Sequence, residues 1–213
     1  MEESLLKALR SLETGVCHIY HKKFDKWSND DLLAYIKGGT DDRLYAIGQL
    51  IRNGVDLALI YDKTKIDMFF LEKFKNIVEF ENVVRAHPMD VETLRAAKRM
   101  GFSDKYIGQL WGLSQNEMYR LREKNNVFPV YKMIDTCASE FASYVPYFYS
   151  TYEEENESIV SGKEKIIVLG SGPIRIGQGV EFDYSTVHAI WSIRAAGYEA
   201  IIINNNPETV STD

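Results

Sequence analysis

The residues best suited to chemistry lie late in the chain, in the string GSGPIRIGQGVEFDYS, which joins a short apolar run, KIIVLG, to a segment of helical character. Glycines at 170, 172, 177 and 179 allow close backbone approach, and such a turn at a helix N-terminus can cradle an anion. Two nucleotide-binding patterns come near without being completed. The dinucleotide fingerprint requires a third glycine where Arg175 stands, and a ribose-binding carboxylate where the next strand ends in Asn204-Asn205-Asn206. Gly172 to Gly177 has the glycine spacing of a P-loop, yet Gln178 replaces its lysine and Gly179 its hydroxyl residue. The spacing therefore argues against a nicotinamide or P-loop site. It leaves open an anion cradle and a structural turn in which Gly170, Gly172 and Gly177 fold the chain onto a sheet.

The elements around this turn read as βαβ. KIIVLG is a short strand, Asp183 to Ala196 a helix, and Tyr198 to Asn204 a second strand rich in isoleucine, so the sheet is expected to be parallel. Two parallel strands and one helix leave apolar faces uncovered, and the unit reads as truncated at Asp213. Glu181 and Glu208 fall beyond the C-terminal ends of the two strands, the edge where ligand sites form in open α/β sheets. The plainer alternative is a pair of loop carboxylates, with Glu181 favoured by a helix N-terminus.

From Ser4 to about Asn125 the apolar period is helical. Ser28 and Asp31 resemble a capping box before a helix of about three turns that Gly38-Gly39 stops. A second helix is expected from Thr40 to Asn53-Gly54. A longer one carries Met68, Leu71, Phe74, Ile77 and Val78 and closes at Pro88, and another carries Val91, Leu94, Ala97 and Met100. After Val127 an aromatic run reads as irregular and is expected to wrap the helical body, and Glu153, Glu154, Glu155 and Glu157 read as a solvated linker. The expected division is a helical domain over residues 1–160 with an acidic linker at its end, then residues 161–213.

Composition narrows the function classes. A 213-residue chain with 45% hydrophobic content can bury a core, and a formal net charge of -6 argues against broad attraction to nucleic acid or an anionic membrane. No apolar stretch approaches the roughly 20 residues of a membrane span, and MEESLLKALR lacks the centre of a signal peptide, so a cytoplasmic address is expected. Cys17 and Cys137 form no disulfide framework. The segment SDKYIGQLWGLSQNEMYRLREK imitates a DNA-binding helix-turn-helix with Arg120, Arg122 and Lys124 on its second helix, although Glu117 and Glu123 share that helix. His18 and His21 could meet a metal but have no third ligand nearby, and they read as a polar surface pair. His188 and Trp191 read as interface or core residues. The aromatic residues Tyr144 to Tyr152 lack interleaved Arg or Lys and read as packing.

GPIRIGQGVEFDYSTVHA, followed after one helix by NNNPETVSTD, resembles the opening of the carbamoyl-phosphate-forming half of the carbamoyl phosphate synthetase large subunit. LLKALRSLETG, VYKMIDTCASEF and YFYSTYEEE resemble the start and end of that subunit's oligomerisation domain, in order. The resemblance implies a mostly α multi-helix domain followed by a truncated α/β unit, βαβ and Rossmann-like, at the start of the second pre-ATP-grasp domain. It implies a parent enzyme that makes carbamoyl phosphate from bicarbonate, glutamine-derived ammonia and two ATP, with Mg2+ (or Mn2+) and K+, for arginine and pyrimidine biosynthesis. Its partners would be a glutaminase small subunit and further large subunits in a homo-oligomer. No cofactor and no catalytic residue is expected in this piece. The match places Arg175, Gly179, Glu181 and Glu208 where the family's inter-site tunnel is lined. Departures fall at Ser171, Ile174, Ser185 and Thr186, where members often carry other residues. The alternatives are a helix-turn-helix nucleic-acid-binding protein and a stand-alone helical scaffold.

Overall fold

The computed structural model describes residues 1–135, 140–141, 147–170 and 181–204, the side chains of Glu181 and Phe182 excepted. Contacts divide the chain into two compact units, Met1–Pro129 and Val130–Asp213. By its contacts the stretch from Val130 to about residue 160 groups with the C-terminal unit.

The first unit is helical. α1 (Glu2–Ser11) is followed by a single 3-10 turn at Lys22–Phe24, then α2 (Asn29–Tyr35), α3 (Arg43–Arg52), α4 (Leu57–Thr64), α5 (Met68–Ala86), α6 (Val91–Arg99), α7 (Asp104–Trp111) and α8 (Gln115–Lys124). Side chains start most of them: Ser28, Asp56, Asp67, Asp90, Ser103 and Ser114 each accept a hydrogen bond from a first-turn N–H, and Glu117 completes a capping box with Ser114. α5 is the hub. Its stripe of Leu71, Phe74, Ile77, Val78, Glu81 and Val84 is buried, and it packs against α1, α3, α4, α6 and α7.

Three helices differ from their sequence-based expectation. α2 is two turns long, because the chain already turns at Ile36 and the Gly38 N–H bonds the Tyr35 carbonyl. α3 begins after Asp42 instead of Thr40. α4 was not anticipated, since Ile60 is its one buried residue and no stripe shows in so short a run.

In the second unit the two ends of the aromatic run pair as strands, where the sequence suggests irregular chain. β1 (Val130–Met133) pairs antiparallel with β2 (Phe148–Thr151), from Val130 opposite Thr151 to Met133 opposite Phe148. The acidic stretch is partly tied down. Asn156 accepts from the Tyr131 N–H at 2.9 Å, Glu157 accepts from the Met133 N–H at 2.6 Å, and Lys132 pairs with Glu155 and Glu157 at 3.2 Å each. β3 (Lys165–Leu169) and β4 (Glu199–Ile203) are parallel and in register from Lys165 opposite Glu199 to Leu169 opposite Ile203, with α9 (Glu181–Ala195) as the crossover packed on both strands. Gly197, at φ +92°, ends α9 in the left-handed region. Ile167, Leu169 and Ile203 remain exposed on this small sheet. The chain is thus mostly helical and then α/β, as expected.

Candidate functional site

The glycine turn leaves the C-terminal edge of β3. Gly170 donates its N–H to the Ile203 carbonyl at 2.8 Å, extending the parallel ladder by one bond past Leu169. A Cβ at Gly170 would lie 2.9 Å from Asn204 Oδ1 and 3.0 Å from the Ile203 oxygen, so the two chains approach closely here because one has no side chain. Helix α9 then starts at Glu181, on the connection that leaves the same edge. Gly172, Arg175, Gly177, Gly179 and Glu208 lie outside the described residues, as does the side chain of Glu181. Further along α9, Asp183 and Thr186 are buried, while Tyr184, His188 and Trp191 form an exposed aromatic row with ring separations of 4.2 and 5.0 Å. His188 and Trp191 are therefore not core residues within this unit.

The helical unit holds two buried ionic clusters that sequence reasoning missed. In the first, Glu81 of α5 is 2% exposed and accepts a two-pronged pair from Arg52 of α3, at 2.6 Å from Nη2 and 2.9 Å from Nε. Arg52 Nη2 also donates to the Ile19 carbonyl at 2.9 Å. That carbonyl reaches α3 because residue 48 is glycine. His18 Nε2 lies 3.0 Å from Glu81 Oε1, and the imidazole is 1% exposed, stacked on Tyr106 at 3.8 Å and against Phe102 at 4.7 Å. Burial alone would raise the Glu81 carboxyl, but hydrogen bonds from His18 and Arg52 outweigh it and hold the group at about 2. Burial likewise lowers the imidazole of His18, and the attraction of Glu81 does not offset it.

His18 is therefore no surface partner of His21. His21 sits at the 3-10 turn, where its Nδ1 accepts from the Lys23 N–H at 3.1 Å. The expectation of a polar surface pair failed because the carboxylate that bonds His18 is 63 residues away along the chain.

In the second cluster, Asp104 at the start of α7 holds Lys98 Nζ and Arg122 Nε at 2.9 Å each. Lys98 also donates to the Phe102 carbonyl, and Arg122 to that of Val127. The helix-turn-helix imitation thus spends Arg122, one of its three basic residues, inside the fold, while Arg120 and Lys124 stay exposed. The α7–α8 hairpin is a packing unit.

On the surface of the helical unit, Leu59 and Tyr61 of α4 and Met68, Phe69 and Phe70 of α5 are exposed. An open groove elsewhere on it is lined by Lys26, Trp27, Asp31, Ala34 and Tyr35. The ammonium that its rings would attract is already Lys23, 5.0 Å from the Tyr35 ring and paired with Asp42 at 2.7 Å. Among the described residues no cluster of three or more His, Cys, Asp or Glu is placed to hold a metal, and no helix is long and apolar enough to cross a membrane.

Comparison with known families gives two matches. Residues 1–126, which span α1 to α8, match the family described as carbamoyl-phosphate synthetase large chain, oligomerisation domain. Residues 162–213, which span β3, α9 and β4, match the carbamoyl phosphate synthase preATP-grasp domain. The first match alone takes in 126 of the 213 residues; the chain belongs to the carbamoyl-phosphate synthetase large-chain family.

Proposed function

We propose that this chain is the association and conduit-wall part of a glutamine-hydrolysing synthetase that makes carbamoyl phosphate. The observation that carries the reading is the match of residues 1–126 to the oligomerisation domain. Its helical unit joins large chains to one another. The exposed Leu59, Tyr61, Phe69 and Phe70 supply apolar surface of the kind interfaces bury. Sedimentation of the purified chain over a range of concentrations tests this part: self-association is expected, and a monomer at every concentration overturns it.

The glycine turn supplies part of the wall of a passage between active sites. Ammonia would be protonated and carbamate would decompose in bulk water, so the reaction needs an enclosed path. In this reading Gly179, with no side chain, leaves room for the passage, and Arg175, Glu181 and Glu208 belong to its wall. What supports this is the placement of Gly170 and Glu181 on the connection leaving the C-terminal edge of β3, where open α/β sheets form their sites. ATP with its metal ions would supply the phosphoryl groups. In this reading the phosphoryl chemistry and the glutaminase partner belong to other parts of the synthetase.

A further inference from the structure

His18 stands out as a buried titratable group that the association and conduit roles do not use. Its Nε2 faces a carboxylate that is already ionised and shared with Arg52, and an ionised carboxylate can only accept. The proton therefore sits on Nε2, and Nδ1 carries a bare lone pair. Nδ1 is buried and has no hydrogen-bond partner among the described residues.

The charged and titratable groups around the ring come from four helices: Arg10 from α1, Arg52 from α3, Glu81 from α5 and Tyr106 from α7. With neutral His18, the Arg52–Glu81 pair cancels to zero. A proton on Nδ1 would leave one net positive charge in the interior, add a donor with no acceptor, and face the cations Arg52 and Arg10. Glu81 would attract the imidazolium, but its oxygens are already engaged by the guanidinium.

We propose that His18 is an acid-sensitive clamp, which in its neutral Nε2–H form fastens the segment at residues 17–19 to α3, α5 and α7, and which loses that hold when Nδ1 takes a proton. Because the protein binds this proton less readily than the unfolded chain, stability falls as pH drops below the ordinary imidazole value of 6.5.

Nitrogen-resolved NMR of the full chain tests the protonation state without any substitution. The expected spectrum shows the neutral Nε2–H tautomer with no inflection near pH 6.5, whereas an Nδ1–H tautomer, or titration at or above 6.5, overturns the proposal. Urea unfolding against pH reads the consequence. The folding equilibrium of the wild type should fall between pH 6.5 and 5, approaching tenfold per pH unit for one proton. His18→Gln keeps a donor towards Glu81 but cannot titrate, so its profile should be flatter by that amount. The other three histidines are common to both proteins; equal slopes would overturn the clamp. If His18→Gln does not fold, the wild-type NMR result decides.

Discussion

A Cβ built on Gly48 would lie 2.6 Å from the carbonyl oxygen of Ile19, closer than any carbon packs against a backbone oxygen. The two residues come from different parts of the helical unit, and the space between them holds the approach of Ile19 to α3 that Arg52 then fastens at 2.9 Å. Because the obstructed atom is backbone, relief requires the segment or the helix to shift. Gly48→Ala should therefore lower stability by about 2 kcal/mol, despite the better helix propensity of alanine. A urea midpoint equal to or above that of the wild type would contradict this.

Glu81 gives a second prediction, in the acid range. Its carboxyl is depressed to about 2 from an ordinary 4.5, so the stabilisation it brings is complete above 4.5 and is lost as pH falls towards 2. Glu81→Ala strands Arg52 without its partner and should cost about 3–5 kcal/mol. Replacing Arg52 and Glu81 together by leucine should recover much of that loss. Thermal unfolding of the single and double variants checks both statements.

Asp104 pairs with two buried cations, Lys98 and Arg122. Asp104→Asn keeps the shape but removes the charge, and both cations must then lose a strong acceptor. A loss of about 3 kcal/mol is expected, against about 1 kcal/mol for Ser114→Ala, which removes only a helix cap. Equal effects from the two substitutions would show that the Asp104 cluster adds nothing beyond local helix stability.

At the glycine turn, Gly170→Ala would press on Asn204 and on the Ile203 carbonyl and should loosen the last rung between β3 and β4. Hydrogen exchange at the amide of residue 170, faster by about tenfold for each 1.4 kcal/mol lost, reads this directly.

Gly179→Leu tests the conduit in the whole synthetase. Glutamine hydrolysis should continue while carbamoyl phosphate formation falls, because the blocked step is transfer and not chemistry. Unchanged coupling between the two would count against an open passage at this glycine.

Much of the fold was legible in the sequence where a single element carried its own signal. The α5 stripe from Leu71 to Val84 has a helical period within a helix of nineteen residues, and the two isoleucine-rich strands flank one helix. What failed depended on partners distant along the chain. β1 and β2 are four residues each, and their pairing joins Val130 to Thr151 across a long connection that no turn signal marks. The burial of His18 depends on Glu81, and that of Arg122 on Asp104, so local polarity alone assigns both to the surface. At the glycine turn, KIIVLG marks the strand end where the chain must turn, and Gly170 lies there against Asn204 and Ile203. Arg175, Gly179 and Glu208 were named by resemblance and lie outside the described residues.

The hairpin has a bearing on solubility. A two-stranded sheet offers its outer backbone as a template on which a foreign strand could grow, the first step towards aggregation. On β1 the outward N–H groups of Tyr131 and Met133 are already taken by Asn156 and Glu157, and the Tyr131 carbonyl by the Glu157 N–H. An incoming chain would find that row occupied and fringed with negative charge, so the acidic stretch shields the hairpin against unwanted polymerisation.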